Sequence, residues 1–117
     1  MSNLVSNVNE FDTKVYKIDG PLGRNMILKS GEKAIKIGQV LSYDEDTGKL
    51  VKYVKDTNTA FTIALSEADS SSDDAVVLVA VPNTRFNSLE IIGTDLESDF
   101  KVIKQLWGNG ILLEEVK

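Results

Sequence analysis

Short apolar runs, bounded by glycine or by acidic turn residues, recur along most of this chain. The runs at 25–29, 39–43 and 49–54 each have the length of a β-strand. The last two flank residues 44–48, Asp-Glu-Asp-Thr-Gly, whose composition predicts a hairpin turn. Residues 60–65 alternate small and large side chains, as strands with one buried face do. The pattern therefore predicts a mainly β protein.

A longer apolar strand is predicted at residues 75–81, where seven apolar residues follow one another and stop at Pro82. Such a run is typical of a strand covered on both faces, and proline ends it because it has no backbone N–H to donate. The cover can be the protein's own core or a neighbouring subunit. The sequence leaves both interpretations open.

One α-helix is predicted in the C-terminal half. Thr94 and Glu97 have the spacing of a capping box, and residues 108–110, Gly-Asn-Gly, end the helix. Four apolar residues at helical spacing form a stripe: Leu96, Phe100, Ile103 and Trp107. We expect this stripe to pack in the protein's own core, with Trp107 at an interface as the alternative. Residues 111–116 then predict a final strand.

The first part of the chain differs in composition from the rest. Residues 1–19 are rich in Asn and Ser with scattered apolar residues, and the breaker cluster Gly-Pro-Leu-Gly follows at 20–23. We predict a flexible, extended N-terminal arm over residues 1–23 and a single β-rich domain over residues 24–117. A frayed terminus is the simplest interpretation of such an arm. Its apolar residues also suit a segment that becomes ordered by adding a strand to a partner's sheet.

Composition narrows the possible functions. The chain has 117 residues, which is the length of one domain that buries roughly two-thirds of its unfolded surface. It contains no Cys and no His, so disulfides, thiolate nucleophiles, imidazole bases and the commonest zinc ligands are all missing from the sequence. We therefore predict that the protein is not an enzyme, with no catalytic residues, no cofactor and no metal.

The net charge and the hydropathy of the chain indicate which classes of partner it can bind. The formal net charge is −5, so a nucleic-acid partner would be repelled, and we predict none. No apolar run approaches the roughly 20 residues of a membrane span, and we predict no membrane partner. The N-terminus has neither the basic nor the apolar region of a signal peptide, which predicts synthesis in the cytoplasm.

Two loops carry residue types found in ligand sites. Residues 66–74 include four carboxylates, the ligand type that calcium prefers, but their spacing matches no calcium-loop signature. A solvated acidic loop is the simpler interpretation. Residues 20–24 resemble a phosphate loop only superficially, because the Gly-Lys-Ser/Thr ending and the following helix are missing. We interpret this segment as a turn.

Two alternative functions fit a small β-barrel. A biotinyl or lipoyl carrier domain would present a modified lysine at a hairpin tip, and Lys49 follows Gly48 without the companion residues of that motif. An oligonucleotide-binding barrel would show exposed aromatic residues between basic ones. The residues that faintly meet this pattern are Tyr43, Lys49, Lys52, Tyr53 and Lys55. The acidic turn among them argues against it.

Taken in order, the elements over residues 25–113 resemble the lambda-type head decoration proteins of tailed bacteriophages. The features that carry the resemblance are Ser30-Gly31, Gly38-Gln39-Val40-Leu41, Gly48-Lys49 leading to Tyr53, the strand 60–65, the acidic loop, the strand 75–81 and the helical region 89–111. Each motif is short, so the order of the elements carries most of the weight.

The resemblance implies a small β-clip-like domain that assembles as a homotrimer on the three-fold sites of an expanded capsid. Such proteins clamp the major capsid protein against internal DNA pressure on the outer surface of the virion, after synthesis in the host cytoplasm. In the family the N-terminal arm pairs with capsid strands. On this chain that role would fall to residues 1–18, with five candidate capsid-binding residues: Val5, Phe11, Val15, Tyr16 and Ile18.

Overall fold

Ten short strands and one α-helix make up residues 15–116, the part of the chain that the computed structural model describes. The strands are β1 (Lys17–Asp19), β2 (Arg24–Leu28), β3 (Ala34–Ile35), β4 (Val40–Asp44), β5 (Lys49–Lys52), β6 (Ala60–Ile63), β7 (Ala68–Asp69), β8 (Ala75–Val79), β9 (Thr84–Asn87) and β10 (Ile111–Glu114). A 3-10 helix spans Ser88–Glu90, and helix α1 spans Phe100–Gly108. The prediction of a mainly β domain with one helix in the C-terminal half is confirmed.

The predicted hairpin is present as β4 and β5, which pair antiparallel. Its turn closes where the N–H of Gly48 donates to the carbonyl of Asp44 at 2.7 Å, with Gly48 at a φ of 73°. The Asp44 carboxylate accepts from the N–H of Asp46 and the hydroxyl of Thr47, and these bonds lower its pKa. The acidic residue that opens the turn therefore stabilises it through its ionised form.

The main sheet has five strands in the order β6-β4-β5-β2-β8, and its two outer strands meet. Ala64, just after β6, forms an antiparallel bridge with Val79 at the end of β8. The N–H of Leu65 donates to the carbonyl of Leu78 at 2.7 Å, and the N–H of Ala80 donates to the carbonyl of Ile63 at 3.0 Å. These bonds close the sheet into a small barrel-like body, which leaves few free backbone groups along its seam.

A second sheet, in the order β1-β9-β10, joins the two ends of the described chain. Strand β9 is central, with β1 antiparallel on one side and β10 parallel on the other. Its side chains alternate, so that Thr84 and Phe86 are buried while Arg85 lies between them on the outer face. A two-stranded sheet, β3 with β7, pairs Ala34 with Asp69.

The core consists of two clusters of buried apolar residues. The larger lies between the barrel, the second sheet and α1: Val40, Tyr53, Ala60, Ile63, Ala80, Phe86, Val102, Leu106 and Ile111. The smaller lies inside the barrel: Leu28, Ile35, Leu41, Leu50, Ala64, Val77 and Val79. Helix α1 is therefore held to the body by its Val102 and Leu106 face.

The predicted start of the helix is wrong. Thr94 and Glu97 do not form a capping box, because the hydroxyl of Thr94 donates instead to Oδ2 of Asp99 at 2.6 Å. The N–H of Glu97 donates to the side chain of Asp95, within a turn that precedes the helix. Helix α1 begins only at Phe100, with Asp99 as its N-cap residue. The Thr94 hydroxyl, which a capping box would have used to accept a backbone N–H, is thus engaged by the buried Asp99 carboxylate.

The prediction that the helical stripe is buried in this chain's core is also wrong. Phe100 and Trp107 are 69% and 67% exposed, and Ile103 is 37% exposed. Leu96, which precedes the helix, is half-buried against the larger cluster. Val102 and Leu106 lie on the neighbouring side, so the apolar surface of α1 continues from its inner face onto its outer face.

Residues 15–116 cover strand β8 fully on one face only. Val77 and Val79 are buried, but Val76 is 59% exposed on the other face and pairs across the sheet with Ile27, which is also exposed. The strand ends at Val79, ahead of the proline. Within one protomer, the outer face of β8 is thus partly open to solvent.

Candidate functional site

The described end of the predicted arm enters the body as an edge strand. We call residues 15–19 the arm root. Strand β1 lies at the edge of the second sheet, and its Lys17 pairs with Phe86 while Asp19 pairs with Arg85. The register shifts between these two pairs, which marks an irregularity typical of sheet edges. The chain before residue 15 therefore joins the body at the edge of a sheet.

A single buried asparagine ties the arm root to the other end of the described chain. Asn87 is 2% exposed, and its Nδ2 donates to the carbonyls of Val15 at 2.7 Å and Val116 at 3.1 Å. Its Oδ1 accepts from the backbone N–H groups of Leu89 and Val116, both at 3.1 Å. Its own N–H donates to the carbonyl of Tyr16 at 2.7 Å. One side chain therefore holds the arm root and the segment after β10 together, and it caps the 3-10 helix.

An ion network crosses the same sheet on its outer face. Nη2 of Arg85 donates to both carboxylate oxygens of Glu114, at 2.8 and 2.6 Å, and Nη1 pairs with Asp19. These carboxylates raise the pKa of Arg85. The network joins one residue from each of β1, β9 and β10. All three side chains are at least 36% exposed, so it fixes geometry more than it adds stability.

The five predicted capsid-binding residues have different surroundings. Val5 and Phe11 lie outside the described residues. Val15 is 43% exposed, Tyr16 is half-buried and packs against the larger cluster, and Ile18 is half-buried in β1. The packing of Tyr16 gives it a role in attaching the arm root to the body. Contact of these residues with a capsid stays a prediction.

The outer face of α1 carries the most exposed aromatic residues of the described chain. We call Phe100, Ile103 and Trp107 the helix ridge. The three residues recur at spacings of three and four, so they fall on one side of the helix. Lys104 lies on the same side, and it makes no salt bridge with any residue from 15 to 116. An exposed apolar ridge of this kind is a candidate interaction surface.

A groove next to the helix start has the opposite charge. We call it the acidic groove; it encloses about 450 Å³ and has an apolar floor that includes Leu89, Ile91 and Leu96. Asp95 and Glu97 line its rim, and both are exposed. Leu89 is 51% exposed. The groove thus combines apolar surface with negative charge.

A buried acid and phenol pair lies beneath these surfaces. The hydroxyl of Tyr53 donates to Oδ2 of Asp99 at 2.6 Å, and both residues are almost fully buried. Burial raises the pKa of Asp99, but hydrogen bonds from Thr94 and Tyr53 outweigh it and hold the pKa below its usual value. Burial and the Asp99 carboxylate raise the pKa of Tyr53 to about 12. The pair is thus kept as a carboxylate and a neutral phenol.

The acidic loop at 66–74 uses its carboxylates for internal hydrogen bonds. Asp69 accepts from the N–H and the hydroxyl of Ser71, and Asp74 accepts from the N–H of Ser30 and pairs with Lys49 at 2.6 Å. These contacts lower the pKa of both carboxyl groups. Within residues 15–116, no three acidic side chains come together as metal ligands would. The loop is thus held by an internal turn at Asp69 and by contacts of Asp74 with Ser30 and Lys49.

The residues of the two alternative functions are not brought together. Tyr43 is exposed and packs on Phe61 with ring centroids 5.2 Å apart, but Tyr53 is buried against Asp99. Lys49 does not project freely from the hairpin tip, because it is paired with Asp74. The faint nucleic-acid pattern therefore divides between the surface and the core.

Two residues that organise this region are not evident from the sequence alone. Asn87 precedes Ser-Leu-Glu, and an asparagine at such a position is a common cap, which was the available signal. Asp99 gives no such signal, because nothing in the sequence indicates that it is buried near Tyr53. The exposure of the helix ridge was likewise hidden, since both faces of α1 are apolar.

Comparison with known proteins assigns the chain to no family. No model of a protein family matches the sequence, and no curated protein matches it either. No helix within residues 15–116 is long and apolar enough to cross a bilayer. The function is therefore inferred from the residues and surfaces described above.

Proposed function

We propose that this protein is a capsid-stabilising decoration protein of a tailed bacteriophage, which binds as a homotrimer at the three-fold sites of an expanded capsid. It would lie on the outer surface of the virion, in contact with the major capsid protein. The observation that carries the proposal is the position of the arm root: residues 1–14 continue from an edge strand of the second sheet and include Val5 and Phe11.

An edge strand suits this role because its backbone has one unpaired side. Strand β1 pairs only with β9 among the described strands, so a chain that continues from it can extend pairing to a neighbouring protein. Strand addition of this kind uses backbone hydrogen bonds for affinity and alternate side chains for specificity. The apolar residues of the arm would supply those side chains.

The body suits a rigid clamp. The two outer strands of the main sheet are joined at the bridge of Ala64 with Val79, and Asn87 holds the arm root to the segment after β10. A rigid body that holds the arm root in one place limits the entropy lost when the arm becomes ordered. Three arms linked in one trimer would also raise each other's local concentration, so modest individual contacts give tight attachment.

The test is co-sedimentation with expanded capsid shells whose three-fold sites are vacant. The full chain is compared with a variant that lacks residues 1–14 and keeps the whole arm root. We expect the full chain to saturate the shells and the shortened chain to bind at least about 100-fold more weakly, while its circular dichroism is unchanged. Equal binding of both chains would contradict the role of the arm. Failure of the full chain to bind would contradict the proposed function itself.

A further inference from the structure

The outer face of α1 is a surface built for a protein partner. Two aromatic rings and an isoleucine are held on the outer side of a helix that Val102 and Leu106, on the neighbouring side, fix in the core. A fully buried Phe or Trp side chain covers on the order of 150–250 Å², and about two-thirds of each of these two remains exposed. A typical interface buries about 800 Å² per partner, so the helix ridge supplies a large share of one.

The acidic groove offers the complement to this ridge on the same protein. The ridge is apolar and carries the positive charge of Lys104, whereas the groove is apolar and carries the negative charges of Asp95 and Glu97. None of these three charges is used in a salt bridge within residues 15–116. A ridge and a groove of complementary charge on the same protein suit contact between two copies.

We infer that the helix ridge of one copy of this chain packs into the acidic groove of the next copy, with Lys104 facing Asp95 and Glu97. Two different patches meet in such a contact, so it is head-to-tail, and repeated copies close into a ring if the rotation allows. That the ring contains three copies rests on the proposed function. The ridge-to-groove contact itself does not, because it is argued from apolar exposure and charge alone.

Trp107 makes the contact directly measurable, because it is the only tryptophan of the chain. Its fluorescence emission should shift to shorter wavelength as the concentration of the full chain rises, and the mass by sedimentation should rise over the same range. In the double variant Phe100→Ser with Trp107→Ser, the concentration needed for association should rise at least about 30-fold. A monomer with solvent-exposed Trp107 emission at about 100 µM would overturn the inference.

Charge reversal tests which surfaces meet. Lys104→Glu alone and Glu97→Lys alone should each weaken association by about 5- to 10-fold, because each places like charges opposite one another. The two changes together should restore association to within about 3-fold of the unchanged chain. Two independent losses with no restoration would overturn the ridge-to-groove pairing.

Val76→Ser is the matched control, because Val76 is an exposed apolar residue on β8 and marks the rival interface. We expect it to leave association unchanged; dissociation by Val76→Ser, with the ridge variant still associated, would overturn the inference.

Shell binding distinguishes failure of this inference from failure of the proposed function. A chain that associates through the ridge and ignores shells contradicts only the decoration function. If the unchanged chain is monomeric and the ridge variant loses shell binding, the ridge contacts the shell and not a second copy. That result contradicts the inference.

Discussion

The hydroxyl of Tyr53 donates a 2.6 Å hydrogen bond to the buried carboxylate of Asp99, and this bond joins the end of the hairpin to the start of α1. Thr94 donates a second bond of 2.6 Å to the same oxygen, Oδ2. The carboxylate thus positions the segment that leads into the helix. Since the helix ridge and the acidic groove flank this segment, the pair indirectly orients both surfaces.

Replacing Tyr53 with Phe should destabilise the fold. The change removes one donor to a buried carboxylate and leaves the ring in place, so we expect a loss of about 1–3 kcal/mol in the free energy of unfolding. Urea denaturation followed by circular dichroism measures it. Tyr43→Phe is the control, because Tyr43 is exposed and its hydroxyl makes no hydrogen bond within residues 15–116. A loss no larger than that of the control would show that the Tyr53 bond contributes nothing.

The same pair predicts an alkaline limit to stability. The pKa of Tyr53 is raised to about 12 in the folded protein, against about 10 in the unfolded chain. The stabilisation from the neutral phenol is therefore complete below pH 10 and is lost as the pH rises to about 12. We expect the difference in stability between the unchanged chain and Tyr53→Phe to shrink over this window. Denaturation at several pH values checks this, and a constant difference would contradict it.

Local turn chemistry was readable from the sequence, whereas the choice between two apolar faces was not. The hairpin followed from Asp44 and Gly48 because each needs only its near neighbours to act. The helix start failed because Thr94 found a buried acceptor, Asp99, that no local rule reveals. The outer face of α1 resembles a core stripe, since periodicity shows that a face is apolar and not what covers it.

Strand pairing over long distances was also beyond the sequence. Strand β9 is the centre of the second sheet, yet its four residues are Thr-Arg-Phe-Asn, with one apolar residue among them. Its partners, β1 and β10, lie far before it and well after it in the chain. A capping role was open to Asn87 from its position before Ser-Leu-Glu, but its bonds to Val15 and Val116 exist only once β1 and β10 have paired with β9.

Gly38 should tolerate no side chain. It has a φ of 100°, and a Cβ there would lie 2.1 Å from the carbonyl oxygen of Glu90, a backbone atom that cannot move aside easily. We expect Gly38→Ala to cost more than about 3 kcal/mol in the free energy of unfolding. Gly31 is the matched control, because its φ is 93° and an added Cβ would meet nothing within 4 Å. Gly31→Ala should therefore cost only the backbone strain, about 1–2 kcal/mol; equal losses would contradict the steric argument.

Asn87→Ala should loosen the arm root and the segment after β10 at once. The change removes bonds to the carbonyls of Val15 and Val116, which are partly buried, so we expect a loss of about 1–3 kcal/mol in the free energy of unfolding. Hydrogen exchange should accelerate at the N–H groups of Leu89 and Val116, which donate to Asn87 Oδ1. Asn109→Ala is the control, since Asn109 is exposed and makes one side-chain bond of 3.2 Å. Unchanged exchange at both N–H groups would contradict the role of Asn87.

Two truncations separate the arm root from the residues that precede it. Removing residues 1–14 keeps every described contact of β1 and should leave the free energy of unfolding within about 0.5 kcal/mol. Removing residues 1–19 also deletes the packing of Tyr16, the pairing of β1 with β9 and the ion pair of Asp19 with Arg85. We expect that deletion to cost about 2–4 kcal/mol, mainly from lost apolar burial and backbone hydrogen bonds. Denaturation of both variants checks this. If the longer deletion were as stable as the shorter one, β1 would contribute nothing to the stability of the body. Residues 15–19 would then belong to the arm and not to the body.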